Sequence, residues 1–302
     1  MYSNSFFTFM KEQEELLRAN EQFKTAASYE CALNSFFQFR RGEDISLDDI
    51  TTDEMKDYQS WLKQRGVVSN TSSFYMRVLR AAYNKAVVKK MTVQQSPFES
   101  VYTGIGQTQK RALSTDLIHR LKSLDMCGHK GLEYARDLFM FSFYTRGMSF
   151  VDMAFLRKLD VRDGEIVYSR RKTGQKLMIG LEPCMEEIIE KYQWLTADSD
   201  YVLPILSPAN PRSLQVQYYN ALRYQNIQLK KIEKLLETPG LRLTSYVARH
   251  SWPSIARNKG ISITVISEGM GHSSEKTTRI YLASLSQVTI DEANQKILSD
   301  FL

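Results

Sequence analysis

Four side chains in the second half of the chain suit chemistry on a phosphate group. Lys172 lies at a predicted β-turn, and Arg249 lies inside an otherwise apolar helical segment. His272 follows Arg249 by 23 residues, after a Gly-x-Gly turn, and Tyr281 follows His272 by nine. A guanidinium group binds phosphate oxygens in a bidentate manner and keeps its charge at any working pH. A histidine donates hydrogen bonds or transfers protons near neutral pH.

Taken singly, each of these residues has a common structural interpretation. The chain contains 16 tyrosines, and any one of them is most often a packing residue. A single histidine after a turn is usually a cap or a structural hydrogen-bond partner, and an arginine in a helix usually belongs to a surface ion pair. The order and spacing of all four residues together favour a functional site.

Helical periodicity over most of the chain predicts the elements that position these residues. Helices are predicted over residues 23–41, 51–65, about 70–90, 213–237 and beyond 244. Ile166–Tyr168 and Leu177–Ile179 have strand character and are joined by a turn at Thr173-Gly174. The sequence therefore predicts a mainly α protein with a small antiparallel β-sheet.

The composition changes in one stretch between the two halves. A chain of 302 residues has the length of about two domains. Residues 92–111 contain Pro97, two glycines, several glutamines and few long apolar side chains, which predicts a linker. The predicted organisation is a helical domain over residues 1–91, this linker, and a second domain over residues 112–302.

The basic residues of the first domain are concentrated in one segment, although the net charge of the chain is only +6. From Tyr58 to Phe98 there are seven lysines and arginines and no Asp or Glu. At about 100° per residue, one stripe of the third predicted helix carries Ser73, Arg77, Arg80 and Asn84. The adjoining side, predicted to pack, carries Phe74, Val78, Ala82 and Ala86.

This stripe has the chemistry of a DNA-binding surface. Arginine and asparagine match guanine and adenine edges in the major groove, and lysines at a helix end match DNA phosphates. The predicted DNA-binding residues are Arg77, Arg80, Asn84, Lys85, Lys89 and Lys90. The alternative is a solvated basic face with no partner.

Cysteine usage and hydropathy exclude several classes of protein. Cys31, Cys127 and Cys184 are far apart and form no CxxC pair or Cys/His cluster, which argues against a disulfide framework and a structural zinc. No apolar run approaches the about 18 residues of a membrane span. The N-terminus also lacks the features of a signal peptide. We expect a cytoplasmic, nucleoid-associated protein with no membrane partner.

The order and spacing of Lys172, Arg249, His272 and Tyr281 resemble those of the tyrosine recombinase (phage integrase) family. The most specific segment is ARHSWPSIARNKGISITVISEGMGHSSEKTTRIYLA, which is similar to integrases and invertases of Bacteroides-type mobile elements. The resemblance runs from about Phe23 to the end of the chain. It implies an N-terminal helical, SAM-like DNA-binding domain and a mostly helical catalytic domain with a small antiparallel sheet.

The resemblance also implies an activity, site-specific DNA recombination through a 3′-phosphotyrosyl intermediate. In the family pattern Tyr281 attacks the scissile phosphate and Arg249 binds its non-bridging oxygens. His272 donates a hydrogen bond to these oxygens or moves the proton of the nucleophile. Lys172 protonates the leaving 5′ oxygen, and Arg171 and Lys176 are nearby alternatives for this role. The family uses no metal and no nucleotide cofactor.

The second family box departs from its usual pattern. Where the family has His-x-x-Arg, the position three residues before Arg249 is Tyr246. A phenol has a pKa of about 10 and is a poor base at neutral pH, so His272 takes a larger share of any proton transfer. His250 points about 100° away from Arg249 on the helix and is assigned a structural role.

The first family arginine is also missing from its expected position. Alignment without gaps places Ser149 there, and Arg146 lies three residues earlier. Three residues are nearly one helical turn, so we hypothesise that Arg146 supplies the second guanidinium. Asp152 is expected to support the site without reacting.

The end of the chain suggests an assembly. Ile290, Ala293, Ile297 and Phe301 lie on one face of a predicted helix in a tail over about residues 287–302. By resemblance this tail docks on a neighbouring subunit. The alternative is a helix folded back on its own domain.

The expected partner is double-stranded DNA. The assembly implied is a homotetramer on two DNA sites, with a monomer or weak oligomer in the absence of DNA and accessory DNA-bending proteins as further partners. The functional alternatives are a catalytically impaired DNA-binding or architectural protein and a type IB topoisomerase.

Overall fold

The computed structural model describes residues 4–104, 106, 112–272 and 274–281, with the side chains of Ile280 and Tyr281 excepted. The chain divides into two compact units, Met1–Thr108 and Gln109–Leu302. Helices dominate both units, and one three-stranded antiparallel sheet lies in the second. The predicted mainly α fold class is confirmed.

Four helices build the first unit: α1 (Phe6–Ala19), α2 (Phe23–Phe39), α3 (Thr52–Gln64) and α4 (Ser69–Val88). The predicted bounds of α2, α3 and α4 lie within two residues of these. Side-chain oxygens start two of the helices: Ser5 accepts from the amide of Thr8, and Thr51 accepts from the amide of Glu54. The aromatic rings of Phe36 and Tyr58 pack 5.0 Å apart in the core of the unit.

Most of the segment predicted as a linker packs onto the first unit. Phe98 and Val101 are buried in its core. The hydroxyl of Thr92 donates to Asp48 over 2.6 Å, and the hydroxyl of Tyr83 donates to the carbonyl of Val93 over 2.9 Å. The predicted linker over residues 92–111 and the predicted domain end at residue 91 are therefore wrong for residues 92–104. A turn-rich composition predicts irregular backbone but does not determine whether that backbone packs.

The second unit contains the remaining described elements. Its helices are α5 (Thr115–Ser123), α6 (Lys130–Tyr144), α7 (Phe150–Ala154), α8 (Pro183–Tyr192), α9 (Leu214–Leu235), α10 (Val247–Asn258), α11 (Ile263–Gly269) and α12 (Glu275–Tyr281). Its strands are β1 (Val161–Arg162), β2 (Glu165–Ser169) and β3 (Lys176–Gly180), in the order β1-β2-β3. The two predicted strands are confirmed as β2 and β3.

Alternation along the hairpin fixes which face of the sheet is buried. Ile166 pairs with Ile179 and Tyr168 pairs with Leu177, and all four side chains are buried. The tip of the hairpin is a tight turn in which the amide of Gly174 donates to the carbonyl of Arg170 over 2.8 Å. Gly174 has φ +70°, which glycine adopts without strain.

Helix α6 is the central helix of the second core. Its side chains Leu138, Phe139 and Phe141 are buried, and it packs against α8, α9 and α10. The side-chain amide of Gln225 on α9 donates to the backbone carbonyl of Ala135 on α6 over 2.8 Å. Among the helices that the structure describes, none combines the length and apolar character needed to cross a membrane.

Candidate active site

Arg249 is the most deeply placed charged residue of the candidate site. It lies on α10 and is only 2% exposed. Its Nη1 donates to the carbonyl of Gly147 over 2.7 Å, and its Nη2 donates to the carbonyl of Met270 over 2.9 Å. The guanidinium thus joins the turn between α6 and α7 to the turn that follows α11.

Gly147 allows this close approach. Its φ is +78°, and a Cβ atom built on it would lie 2.8 Å from the Cα of Arg249. A side chain there would be strained by the backbone conformation and would also collide with the backbone of α10. Glycine is therefore required at this position if Arg249 is to keep its place.

His272 lies in direct contact with Arg249. The Nε2 of the imidazole is 3.1 Å from Nη2 of Arg249, and its Nδ1 is 2.8 Å from the Oγ1 of Thr278 on α12. A guanidinium has only donors, so Nε2 accepts and the ring proton resides on Nδ1, which donates to Thr278. The hydrogen bonds thereby select one tautomer of His272.

The surroundings of His272 favour its neutral form. Burial lowers the pKa of the imidazole to about 4, and the positive charges of Arg249 and then Arg170 add to this effect. At pH 7 the ring is uncharged. Its Nε2 lone pair accepts the hydrogen bond from Arg249.

Arg170 is a site residue that the sequence analysis did not select. It follows β2 at the start of the hairpin turn and is 8% exposed, and its Nη1 donates to the carbonyl of Gly271 over 2.6 Å. In the sequence it belongs to a run of basic residues, Arg170 to Lys172, in which surface exposure is the ordinary expectation. The only available signal in the sequence was its position two residues before Lys172.

Lys172 lies exposed at the tip of the same hairpin. The buried carboxylate of Asp152 holds this turn, because its Oδ1 accepts from the amide of Arg171 over 2.9 Å. The other oxygen of Asp152 accepts from the hydroxyl of Ser149 over 2.6 Å, and Ser149 caps α7. The serine in the position of the family's first arginine is thus a helix cap. The contacts of Asp152 agree with a supporting role.

Two further predicted residues, Arg146 and Tyr246, have the following contacts. Arg146 immediately precedes Gly147, has φ +59° and is partly buried, and its Nη1 lies 3.4 Å from the carbonyl oxygen of Met178 on β3. Tyr246 is 46% exposed at the start of α10, and its ring meets that of His250 edge-on at 5.0 Å.

The predicted nucleophile ends the described part of the second unit. Tyr281 is the last residue of α12, and this helix packs against α10 and α11. The side chain of Tyr281 lies outside what the structure describes, as does the predicted docking tail over residues 287–302. Thr278, which contacts His272, is buried and lies three residues before Tyr281.

The predicted DNA-binding stripe on α4 is only partly as expected. Arg80 and Asn84 are exposed and Arg77 is partly buried, whereas Ser73 is buried and donates to the carbonyl of Gly104. On the side predicted to pack, Ala82 and Ala86 are buried and Val78 packs partly buried against the core, whereas Phe74 is only partly buried and is not part of that core cluster. The fully buried positions of α4 include Met76, Leu79 and Tyr83. Apolar side chains lie on most sides of this helix, so periodicity alone predicted a face that overlaps the buried one but is rotated from it.

Lysines extend the basic surface at the end of α4. The Nζ of Lys85 lies 5.0 Å from the centroid of the Tyr29 ring, and that of Lys89 lies 5.5 Å from the centroid of the Phe9 ring. Lys90 follows with φ +58° and is exposed. Lys85 and Lys89 thus lie over aromatic faces while they stay accessible to solvent.

Among the described residues, no group of three or more His, Cys, Asp or Glu side chains is arranged to hold a metal ion. The described charged groups near Arg249 are the cations Arg146 and Arg170 and one carboxylate, Asp152, whose oxygens bind Ser149 and the amide of Arg171. Such a set binds an anion rather than a cation.

Two family models match the chain. The phage integrase SAM-like domain matches residues 5–103, and the phage integrase family matches residues 126–287. Two similar proteins are the tyrosine recombinases XerC of Rickettsia canadensis (strain McKiel), 24% identical over 281 residues, and of Rickettsia prowazekii (strain Madrid E), 25% identical over 275 residues. The first alignment covers 89% of each chain and the second covers 88%.

Solved structures share the fold. A lambda integrase dimer bound to a COC′ core site superposes with a TM-score of 0.71 at 18% identity, over 94% of this chain and 97% of that chain. The Tn1549 transposon integrase in complex with a circular intermediate DNA gives 0.70 at 16% identity, over 97% and 100%. Since the catalytic family model alone matches more than half of the residues, the chain belongs to the phage integrase family of tyrosine recombinases.

Proposed function

We propose that this protein is a site-specific DNA recombinase that cuts and rejoins DNA through a 3′-phosphotyrosyl intermediate on Tyr281. One observation carries the proposal: the buried guanidinium of Arg249 contacts a neutral His272, which in turn contacts the helix that ends at Tyr281. This arrangement joins an anion-binding group, a proton-transfer group and a nucleophile in one site.

The proposed reaction is a transesterification that conserves the number of phosphoester bonds. The phenol oxygen of Tyr281 attacks the scissile phosphorus, a phosphorus–oxygen bond to Tyr281 forms, and the bond to the 5′ oxygen breaks. The phosphate takes up the Nη2 donor of Arg249 that bonds Nε2 of His272, and this nitrogen then accepts the phenol proton. Lys172 gives a proton to the departing 5′ oxygen. Rejoining is the reverse, in which a 5′-hydroxyl displaces Tyr281.

The guanidinium groups act on the charge that builds up in the transition state. Arg249 binds the non-bridging phosphate oxygens, and its bonds to two backbone carbonyls fix its orientation before the substrate arrives. Arg146 is proposed as a second guanidinium in place of the family's first arginine. Tyr246 is proposed as a hydrogen-bond donor in place of the family histidine.

The proposed partner is double-stranded DNA, bound in part through Arg77, Arg80, Asn84 and the lysines that follow. The matching structures of lambda integrase include a dimer on a core site and a tetramer on a Holliday junction. We propose that this chain likewise assembles on DNA, as a homotetramer joining two sites, and is a monomer or weak oligomer without DNA. The tail over residues 287–302 would link the protomers, with accessory DNA-bending proteins as further partners.

A suicide substrate tests the activity. DNA flanking the gene, nicked beside the cleavage position, traps a covalent adduct because the short 5′-hydroxyl strand diffuses away. We expect an adduct with the natural chain and none with Tyr281→Phe, while Tyr224→Phe, which changes an exposed tyrosine of α9, behaves normally. DNA binding without any adduct would instead indicate a DNA-binding protein on a recombinase scaffold. Relaxation of DNA without strand exchange would indicate a topoisomerase.

A further inference from the structure

We infer that Arg170 is a catalytic residue whose guanidinium contacts the scissile phosphate beside that of Arg249. The inference rests on the proposed recombinase function and adds a cation that the sequence pattern did not assign. Three observations carry it: the position of Arg170 in the structure, its burial, and the turn to which both Arg170 and Arg249 donate hydrogen bonds.

Arg170 and Arg249 bind two successive carbonyls of the same turn. Nη2 of Arg249 donates to the carbonyl of Met270, and Nη1 of Arg170 donates to the carbonyl of Gly271. The next residue is His272, whose pKa is lowered by both arginines after the larger effect of burial. The two guanidinium groups therefore approach one turn from the hairpin and from α10, and both lie within electrostatic reach of the same imidazole.

A second buried group locates the same cluster. Burial and then the Asp152 carboxylate raise the pKa of the Tyr168 phenol, and Arg249, Arg170 and Arg146 act in the opposite direction. Tyr168 thus lies among three arginines from three separate segments of the second unit. Among the described residues, Asp152 is the one carboxylate that acts on Tyr168 together with these three arginines, and its two oxygens bind Ser149 and the amide of Arg171. The cations therefore outnumber the anion, and a further anion among them relieves their mutual repulsion. A phosphodiester carries the charge that fits.

The site holds Arg170 in place on both sides. Gly271 has φ +62°, and a Cβ atom on it would lie 3.2 Å from Cδ of Arg170 and 2.9 Å from Cδ2 of Leu177. Behind Arg170, the carboxylate of Asp152 fixes the backbone amide of Arg171 over 2.9 Å. The guanidinium is therefore oriented before a substrate binds, as electrostatic catalysis requires.

Arg170 also offers a guanidinium to a site in which the family's first arginine is missing. Ser149 occupies that position and is engaged in capping α7. Arg146, which the spacing of the sequence favours, makes a longer contact of 3.4 Å to a carbonyl of β3. Arg170 reaches the carbonyl next to His272 from the same hairpin that carries Lys172, so one hairpin supplies both a phosphate ligand and the proposed acid.

Paired suicide substrates separate a phosphate contact from a structural role. One substrate has the natural scissile phosphate, and the other has a methylphosphonate in which a neutral methyl group replaces one charged oxygen. The variants are Arg170→Ala, Arg170→Gln and the control Arg162→Ala, which changes an exposed arginine of β1. Glutamine removes the charge but retains a donor for the carbonyl of Gly271.

We expect both Arg170 variants to slow cleavage of the natural phosphate on the order of 100- to 1,000-fold. On the methylphosphonate we expect rates close to those of the natural chain, because the charge to be neutralised is gone. Arg162→Ala should match the natural chain on both substrates.

Three results would overturn the inference. An equal loss on both substrates would give Arg170 a structural role. If Arg170→Gln cleaves the natural phosphate at the rate of the natural chain, Arg170 serves only to hold the carbonyl of Gly271. This variant also provides a test if Arg170→Ala fails to fold. An adduct missing even from the natural chain on both substrates would refute the proposed function itself, and the inference with it.

Discussion

The Oγ1 atom of Thr278 lies 2.8 Å from Nδ1 of His272 and is part of the helix that ends at Tyr281. This contact orients the imidazole, whose tautomer is set by the Arg249 donor at its other nitrogen, and links the ring to the helix that carries the proposed nucleophile. One hydrogen bond therefore connects the orientation of His272 to the helix that ends at Tyr281.

Thr278→Val tests that coupling. Valine has a similar shape but cannot accept from Nδ1, so His272 loses the partner that orients its ring and its Nδ1–H is left without an acceptor. We expect adduct formation on a suicide substrate to slow roughly tenfold, the equivalent of about 1.4 kcal/mol, with DNA affinity unchanged. Thr278→Ser keeps the hydroxyl and should retain most of the rate. Equal rates for the serine and valine variants would contradict the coupling.

Acid sensitivity should report the buried imidazole. The pKa of His272 is about 4 in the folded chain against an ordinary value of 6.5, so between these values the unfolded chain binds more protons than the folded one. Stability from this residue is complete above about pH 6.5 and is lost as the pH falls towards 4. We expect the urea midpoint to fall more between pH 7 and pH 5 in the natural chain than in His272→Gln. The same fall in both proteins would exclude the effect.

Gly147→Ala should disturb the site and the fold together. The added Cβ is strained at φ +78° and would lie 2.8 Å from the Cα of Arg249. We expect a loss of about 2 kcal/mol in the free energy of unfolding, measured in urea, together with loss of cleavage. Gly128→Ala is the matched control, because Gly128 has the same φ of +78° but open space around it. The two variants should differ by the collision alone.

Lys172 can be tested through the leaving group. If its ammonium protonates the departing 5′ oxygen, Lys172→Ala should slow cleavage on the order of 100-fold. A substrate with sulfur in place of that oxygen needs no protonation, because a thiolate is a much better leaving group, and should restore the rate. Arg171→Ala and Lys176→Ala should show no such restoration. Restoration in one of those variants instead would reassign the acid.

The surface of α4 should divide into two kinds of DNA contact. Arg80→Ala and Asn84→Ala should weaken binding to the recombination site and relax sequence preference, by about 1–3 kcal/mol each. Lys89→Ala should weaken all DNA alike and reduce the slope of binding against salt by about one unit. Lys24→Ala, on the exposed start of α2, should change neither. If all four variants weaken DNA binding equally and none changes sequence preference, α4 is a general basic surface without base-specific contacts.

Periodicity predicted the elements well where one face is clearly apolar. Helices α2, α3 and α9 and the hairpin of β2 and β3 lie where the spacing of apolar residues placed them. Helix α4 carries apolar side chains on most of its circumference, so the buried side was decided by its neighbours α2 and α3, which a local pattern does not contain.

The site divides in the same way. Arg249 and His272 were predicted because their spacing along the chain is distinctive, and the structure brings them into contact. Arg170 was missed because its burial depends on Gly271, which is 101 residues away. A basic residue in a turn carries no local mark of such a long-range partner.

The segment after α4 folds over the surface proposed to meet DNA. Arg80 donates to the hydroxyl of Thr103 over 3.2 Å, and Asn84 accepts from the side-chain amide of Gln94 over 3.2 Å. A DNA base that binds these two side chains must first break an internal hydrogen bond of similar strength at each of them. A correct base pair can replace both hydrogen bonds, whereas a wrong one leaves a group unsatisfied. Only base pairs that replace both internal hydrogen bonds therefore bind this surface without a net loss of hydrogen bonds.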